Sequence, residues 1–317
     1  MRLPAPALSI AALSTVAAAG LLAASCGKSA PVAQVEVRPS SLPLGYPEVQ
    51  KLHLSWQTTA GLDPEAGSPT VFVHLLDRQG KVVRTYDHPF PQAWQEGTPV
   101  EDVVKIYQSA LAPALPPGRY PLTLGLYGGK SNQRWPLEVT GPDLGRHEYR
   151  VAEVEVLPPP AGAAGPRFSF TGSWLASEPG GSRQILNLRW LAGAGAIRAE
   201  GLSGPGSLWL ELKIPAGNGP GEKLVLDDSS NAPSVVVSGT CGGVETGISG
   251  PGDHEIEIPV DGAGGSCEIH LKPNFRLLKA GLPGGGPRSV ALENLAWIPA
   301  APSAPAAPPP AGAKPGA

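Results

Sequence analysis

No apolar pattern in this chain runs far before glycine or proline interrupts it. Glycine (41) and proline (38) make up nearly a quarter of the 317 residues. Glycine loses the most backbone entropy on ordering, and proline lacks the N–H that a helix interior needs. A chain punctuated so densely folds as short strands joined by tight turns. The apolar residues agree. In LHLSW (52–56), VAEVEV (151–156), SLWLEL (207–212) and HEIEIPV (254–260), apolar and polar side chains alternate at period two, as a half-buried strand requires.

Candidate strands fall into two groups. The first holds AQVEV (33–37), VQKLHLSW (49–56), TVFVHLL (70–76), KVVRTYD (81–87), DVVKIYQSAL (102–111), RYPLTLGLY (119–127), RWPLEV (134–139) and EYRVAEVEV (148–156). The second holds FSFTGSW (168–174), ILNLRWL (185–191), SLWLELKIP (207–215), KLVLD (223–227), SVVVSG (234–239), HEIEIPV (254–260), CEIHLK (267–272) and VALENLAWI (290–298). LPPPAGAAGP (157–166) lacks periodicity and reads as a linker. The expected class is therefore all-β, with one β-sandwich over 33–156 and a second, jelly-roll-like sandwich over 167–298. The segment 299–317 is low-complexity and expected to be disordered.

The first 25 residues read as a secretory signal: Arg2, an alanine-rich apolar run, then small residues. An ordinary signal peptide and a retained membrane helix are the alternatives. Leu22-Ala23-Ala24-Ser25-Cys26 resembles the lipobox of bacterial lipoproteins. The resemblance implies cleavage before Cys26 and lipidation, as by palmitate, of that residue. Residues 26–32 would then be a tether, and the bilayer a partner through Cys26. Gly27 in place of Asp favours the outer membrane by the same resemblance.

Only Cys241 and Cys267 remain, and in an exported chain such a pair reads as a disulfide, with two buried thiols as the alternative. It would close a loop of about 25 residues, contributing roughly 3 kcal/mol in the chain-entropy model. Loss of Arg2 with the signal leaves 23 basic and 27 acidic residues, and no basic block. Nucleic acid is therefore not an expected partner.

The stretch FVHLLDRQGKVVRTYDHPF (72–90) holds His74, Asp77, Asp87 and His88. Folding about Asp77–Gly80 sets His74 opposite Val83 or Arg84, and His88 opposite residue 69 or 70. The histidines then stand roughly 13 Å apart, too far to share a zinc. His74 reads as a buried, hydrogen-bonded structural residue. Asp87 and His88 could line a loop-edge site with Trp94 and Asp102.

No G-x-S-x-G elbow, H-E-x-x-H helix or phosphate loop occurs, so no catalytic residue, cofactor or metal is expected. DDSSN (227–231) reads as a solvated turn rather than a Ca²⁺ site. Trp56, Trp209 and Trp297 lie in alternating strands and should be core. Trp94, Trp135, Trp174 and Trp190 lie near strand ends, where an indole can stack on a sugar ring or pack on a protein. Glu178 near Trp174 and Arg189 beside Trp190 make the second region the better candidate for a ligand site. Arg189 could instead stack on an aromatic ring.

The first region, with VFVHLLDRQGKVVRTYDHP, Trp94, Gly97, Asp102, LPPGRYPLTLGLY and Arg134, resembles a β-sandwich accessory module. Such modules lie in the exported parts of bacterial membrane proteins, beside glycosyltransferase-like domains. The second region resembles a companion jelly-roll module on Gly172, Trp174, Glu178, Arg189-Trp190, PNFR (273–276) and Arg288. The resemblance implies an immunoglobulin- or fibronectin-III-like first sandwich and no particular activity. The expected function is a non-catalytic binding or assembly lipoprotein for carbohydrate or envelope polymer. An interaction protein of an envelope complex is the alternative, and a glycan-active enzyme ranks behind both.

Overall fold

The computed structural model describes residues 30–300 apart from 160–164, 203, 228, 242, 244, 262–264 and 280–285. The signal peptide, Cys26 with most of the tether, the middle of the linker and the tail from residue 301 lie outside the described residues. Within them the fold is all-β and sandwich-like, with one 3₁₀ turn at Pro64–Ala66 and no α-helix.

The strands of the N-terminal part are β1 (Ala33–Arg38), β2 (Ser41–Leu44), β3 (Val49–Thr58), β4 (Pro69–Leu76), β5 (Val82–Thr85), β6 (His88–Pro89), β7 (Pro99–Tyr107), β8 (Gly118–Gly128), β9 (Arg134–Trp135), β10 (Leu137–Val139) and β11 (Tyr149–Val156). Those of the C-terminal part are β12 (Arg167–Pro179), β13 (Asn187–Glu200), β14 (Gly206–Ile214), β15 (Glu222–Leu226), β16 (Ser234–Gly239), β17 (Glu245–Ser249), β18 (Gly252–Val260), β19 (Ser266–Pro273), β20 (Phe275–Lys279) and β21 (Ala291–Pro299). A four-stranded sheet runs β10-β1-β3-β7. A seven-stranded sheet runs β2-β11-β8-β4-β5, with β6 on β4 and β9 on β8. An eight-stranded sheet runs β17-β16-β19-β13-β21-β14-β18, with β12 on β13, and β15 pairs with β20.

Alternation builds the cores. On β3, Leu52, Leu54 and Trp56 point inward while Lys51 and His53 point to water. They join one apolar cluster with Val71, Val73 and Leu124 from the facing sheet. Leu208, Leu210, Leu212 and Ile214 of β14 form a second cluster with Ile256, Ile258 and Trp297. Each such side chain contributes roughly 1.5–3 kcal/mol by leaving water. The expected core tryptophans Trp56, Trp209 and Trp297 are at most 2% exposed. The Cys241–Cys267 disulfide ties the loop after β16 to β19, with Cα atoms 5.3 Å apart.

Simple alternation fails at β14 and β21, which are covered on both faces. Trp209 and Ala296 point away from their neighbours' core and pack into the N-terminal cluster. Backbone bonds reinforce the contact. Trp297 N donates to the Pro47 carbonyl at 2.9 Å, and Ala110 N to the Leu295 carbonyl at 2.7 Å. The run ALENLAW (291–297) is buried throughout, including Glu293 and Asn294.

The hairpin of β4 and β5 has the expected turn. Asp77 Oδ1 accepts from Gln79 N and Lys81 N, both at 2.9 Å, and Gly80 takes φ 76°. Its register differs from the expected one. His74 pairs with Thr85 and His88 with Val71, because a shift between Leu75 and Leu76 leaves Val83 unpaired.

Candidate ligand-binding sites

On the outer face of the seven-stranded sheet, His74 lies between two carboxylates. Nε2 is 3.4 Å from Asp87 Oδ1 and Nδ1 is 3.3 Å from Glu148 Oε1. Glu148 also accepts from Thr123 Oγ1 at 2.7 Å and Arg134 Nη1 at 3.1 Å. Arg134 covers the buried Phe72 ring at 4.3 Å, and that ring fills the space where Gly125 has no side chain. Burial pulls the His74 pKa down, but Asp87 and Glu148 outweigh it and hold the imidazole at about 9. Its hydrogen bond from His74 is the main reason that Glu148 falls to about 2. Every polar group here has a partner, which makes the cluster a structural ion network.

His88 points the other way. Its Nε2 is 2.9 Å from Asp102 Oδ2 and its Nδ1 is 3.0 Å from the Tyr86 carbonyl oxygen. Burial lowers its pKa, but Asp102 outweighs that and the net shift is upward. Asp87 and His88 reach a cleft of about 240 Å³ where the N-terminal sheets meet β14, with Lys105, Tyr107, Trp209 and Glu211 on its walls. Tyr107 is the hub. Its ring lies 4.7 Å from that of Trp209, its hydroxyl donates to the Gln184 carbonyl at 3.3 Å, and it accepts from Asn294 Nδ2 at 3.0 Å. Asn294 Nδ2 also donates to Glu211 Oε2 at 2.6 Å. Burial raises the carboxyl pKa of Glu211. Lys105 pairs with Glu255, lies 3.5 Å from Glu257 and sits 5.8 Å from the Trp209 ring centre.

Trp94 is not beside Asp87 and His88. It stands at a loop-end pocket of about 510 Å³ that also contains Asp63, Ser68, Glu96 and Lys130. Trp94 Nε1 donates to the Ala60 carbonyl at 2.9 Å, and its ring packs on Phe90 at 4.8 Å. The indole is thus fixed and partly buried, and it lines the pocket.

The four remaining candidates lie on the β12–β13 hairpin and bond within it or to Arg288. Trp174 Nε1 donates to the Ala196 carbonyl at 3.1 Å, and its ring meets Phe170 edge-on at 5.4 Å. Arg189 lies 4.4 Å over Phe170, the stacking arrangement that the sequence left open. Arg288 holds Glu178 through Nη1 at 3.2 Å and Nη2 at 2.6 Å, and lies 5.2 Å over Trp190.

The sequence reading overlooked Lys105, Glu211 and Asn294 at the cleft, and Asp63, Glu96 and Lys130 at the pocket. Glu293 and Asn294 inside an apolar run were the available signal, since polar groups in a doubly buried strand need partners. Asp227 of the DDSSN turn pairs with Arg276 at 2.7 Å, and Asp228 lies outside the described residues. Among the described residues no group of three or more His, Cys, Asp or Glu is placed to hold a metal. No family model matches this sequence, and no curated protein shows significant similarity to it.

Proposed function

We propose that the chain is an exported, non-catalytic binding module, anchored to the outer membrane by lipid on Cys26, whose ligand is a carbohydrate or envelope polymer. In this reading it comprises an immunoglobulin- or fibronectin-III-like sandwich followed by a jelly-roll-like one. The observation that carries it is the fixed, partly buried Trp94 at a pocket of about 510 Å³. A rigid indole is a stacking platform for a sugar ring. Asp63, Glu96, Lys130 and Ser68 supply hydrogen-bond donors and acceptors around it, and a pocket of this size takes a small ligand. No side-chain partner holds the charged ends of Glu96 and Lys130 among the described residues.

A second observation favours a protein partner. β12 pairs only with β13 among the described residues, which leaves a strand of 13 residues with one free edge.

The test is a glycan and envelope-polymer panel probed with the full chain and with Glu96→Ala, Lys130→Ala and Trp94→Ala. Saturable binding weakened by each substitution in folded protein supports the carbohydrate reading. Absence of binding across the panel overturns it and leaves the protein-partner reading. Separately, Cys26→Ser should move the protein from the membrane to the soluble fraction.

A further inference from the structure

The Trp94 pocket sits at the end of the molecule where the chain enters the fold. Val32 N donates to the Pro136 carbonyl at 2.9 Å, and the Val32 carbonyl accepts from Thr59 N at 2.8 Å and Ala60 N at 3.3 Å. Thr59 Oγ1 donates to the Pro31 carbonyl at 2.9 Å. The Ala60 carbonyl in turn accepts from Trp94 Nε1 at 2.9 Å. Ala60 therefore joins the entering chain to the indole. The other walls belong to the same end: Lys130 N donates to the Ala66 carbonyl and Gly129 N to the Ser68 carbonyl, both at 2.9 Å. Five peptide steps separate Cys26 from Pro31, and an extended chain spans at most about 3.6 Å per residue, so lipid on Cys26 would hold this end within about 18 Å of the bilayer surface.

Charge at this end narrows what the pocket can take from a membrane. Its loops, 59–68, 91–98 and 129–133, carry Asp63, Glu65 and Glu96 against Lys130. An anionic lipid surface attracts clustered lysine and arginine and repels an excess of carboxylate. An uncharged sugar meets no such penalty. Its hydroxyls can donate to Glu96 and accept from Lys130, and about 510 Å³ admits a sugar ring beside the indole. Such a ring can come from a soluble glycan or from a lipid headgroup. The short tether favours the headgroup, because it keeps the pocket and the anchoring leaflet at high local concentration. Resting on the reading of Trp94 as a sugar platform and of Cys26 as the anchor, we propose that the pocket binds the uncharged sugar headgroup of a lipid in the bilayer that holds Cys26.

The experiment places the lipidated full chain in phosphatidylcholine vesicles that contain a glucosyl diacylglycerol with a photoreactive group on its sugar. Adducts are mapped by mass spectrometry of peptides. They are expected within 61–69, at Trp94 and Glu96, and at Lys130. Unlabelled glucosyl diacylglycerol should compete them away, and phosphatidylglycerol should not. Glu96→Ala and Lys130→Ala, in folded protein, should each lower labelling several-fold. Lengthening the tether about fourfold with glycine and serine after Lys28 should also lower labelling several-fold, and leave affinity for soluble glycans unchanged. Absence of adducts at the pocket overturns the proposal. So does equal competition by phosphatidylglycerol, or labelling indifferent to tether length. Soluble glycans that bind at Trp94 without headgroup labelling overturn the membrane source and leave the carbohydrate reading standing. Headgroup labelling beside a blank panel of soluble glycans supports the proposal and removes the envelope polymer as ligand.

Discussion

Glu148 on the outer face of the seven-stranded sheet and Glu293 on β21 are both largely withdrawn from water, yet they titrate at about 2 and about 7. Burial raises both carboxyls. What differs is the company. Glu148 has hydrogen bonds from Thr123 and Arg134 and the His74 imidazole at 3.3 Å. Glu293 has Lys213 at 3.8 Å, beyond hydrogen-bond reach, while Asp253 and Glu211 add like charge. The first region is electrostatically closed. The second keeps acceptor capacity, and the cleft at Glu211 lies on that same face of β14. Capacity to bind is therefore expected where the network is incomplete, not where histidines and aspartates are densest in sequence.

The strongest way to break this contrast is Glu148→Ala, which leaves His74 and Arg134 charged and short of a partner. Removing one member of a largely buried pair should cost about 3 kcal/mol at pH 7, read by urea unfolding. Because the folded pKa of Glu148 is depressed, its contribution is full above the ordinary value of 4.5 and is lost as pH falls to about 2. The variant should lack that acid limb. For His74 the raised value works the other way: its contribution is full below 6.5 and fades as pH rises through about 9. A loss below about 1 kcal/mol would mean that solvent screens the network.

Glu293→Gln tests the opposite sign. Glu293 is 5% exposed, and its folded pKa of about 7 lies above the ordinary 4.5. The folded state therefore holds the proton more tightly, and wild-type stability declines as pH rises from 4.5 to about 7. Glutamine removes that decline. The variant should be more stable than wild type at pH 8 by about 2 kcal/mol, and by much less at pH 4.5. A destabilised variant at pH 8 would show that Lys213 compensates the charge fully.

Most strands of both halves were legible in sequence, whereas the partners that meet across them were not. Period-two alternation located β3, β14 and β18, and Asp77–Gly80 marked its turn. The short strands β2, β6, β17 and β20 escaped, because two to five residues give alternation too little length. The slip at Val83 escaped because a bulge has no fixed residue signature. Phe72 and His74 lie on one face, but Glu148 is 74 residues away from His74 and only the sheet unites them. At the cleft, Trp209 is core as expected, yet for a different cluster from Leu208 and Leu210 beside it. Alternation says that a residue is buried, not against what. The candidates Asp87, His88 and Trp94 were grouped by proximity in sequence, but Asp87 and His88 line the cleft and Trp94 lines a different pocket.

Tyr107→Phe sharpens the contrast at the hub. It keeps the ring against Trp209 and Tyr86 but deletes the hydroxyl shared by Gln184 and Asn294. The expected loss is about 1 kcal/mol, the net worth of an ordinary hydrogen bond, because Asn294 still donates to Glu211. A loss above about 3 kcal/mol in urea unfolding would instead make the hydroxyl the principal tie across the cleft.

The smallest effect is expected from Lys105→Met, and it discriminates most finely. Methionine keeps an apolar stem against Trp209 and removes the charge shared by Glu255 and Glu257. The lysine side chain is 20% exposed and that of Glu255 52%, so solvent screens the pair and its loss should cost no more than about 0.5 kcal/mol. The difference should shrink further in 1 M salt, where the Debye length is about 3 Å. A loss above about 1 kcal/mol that persists in 1 M salt would mean that the pair is shielded from solvent.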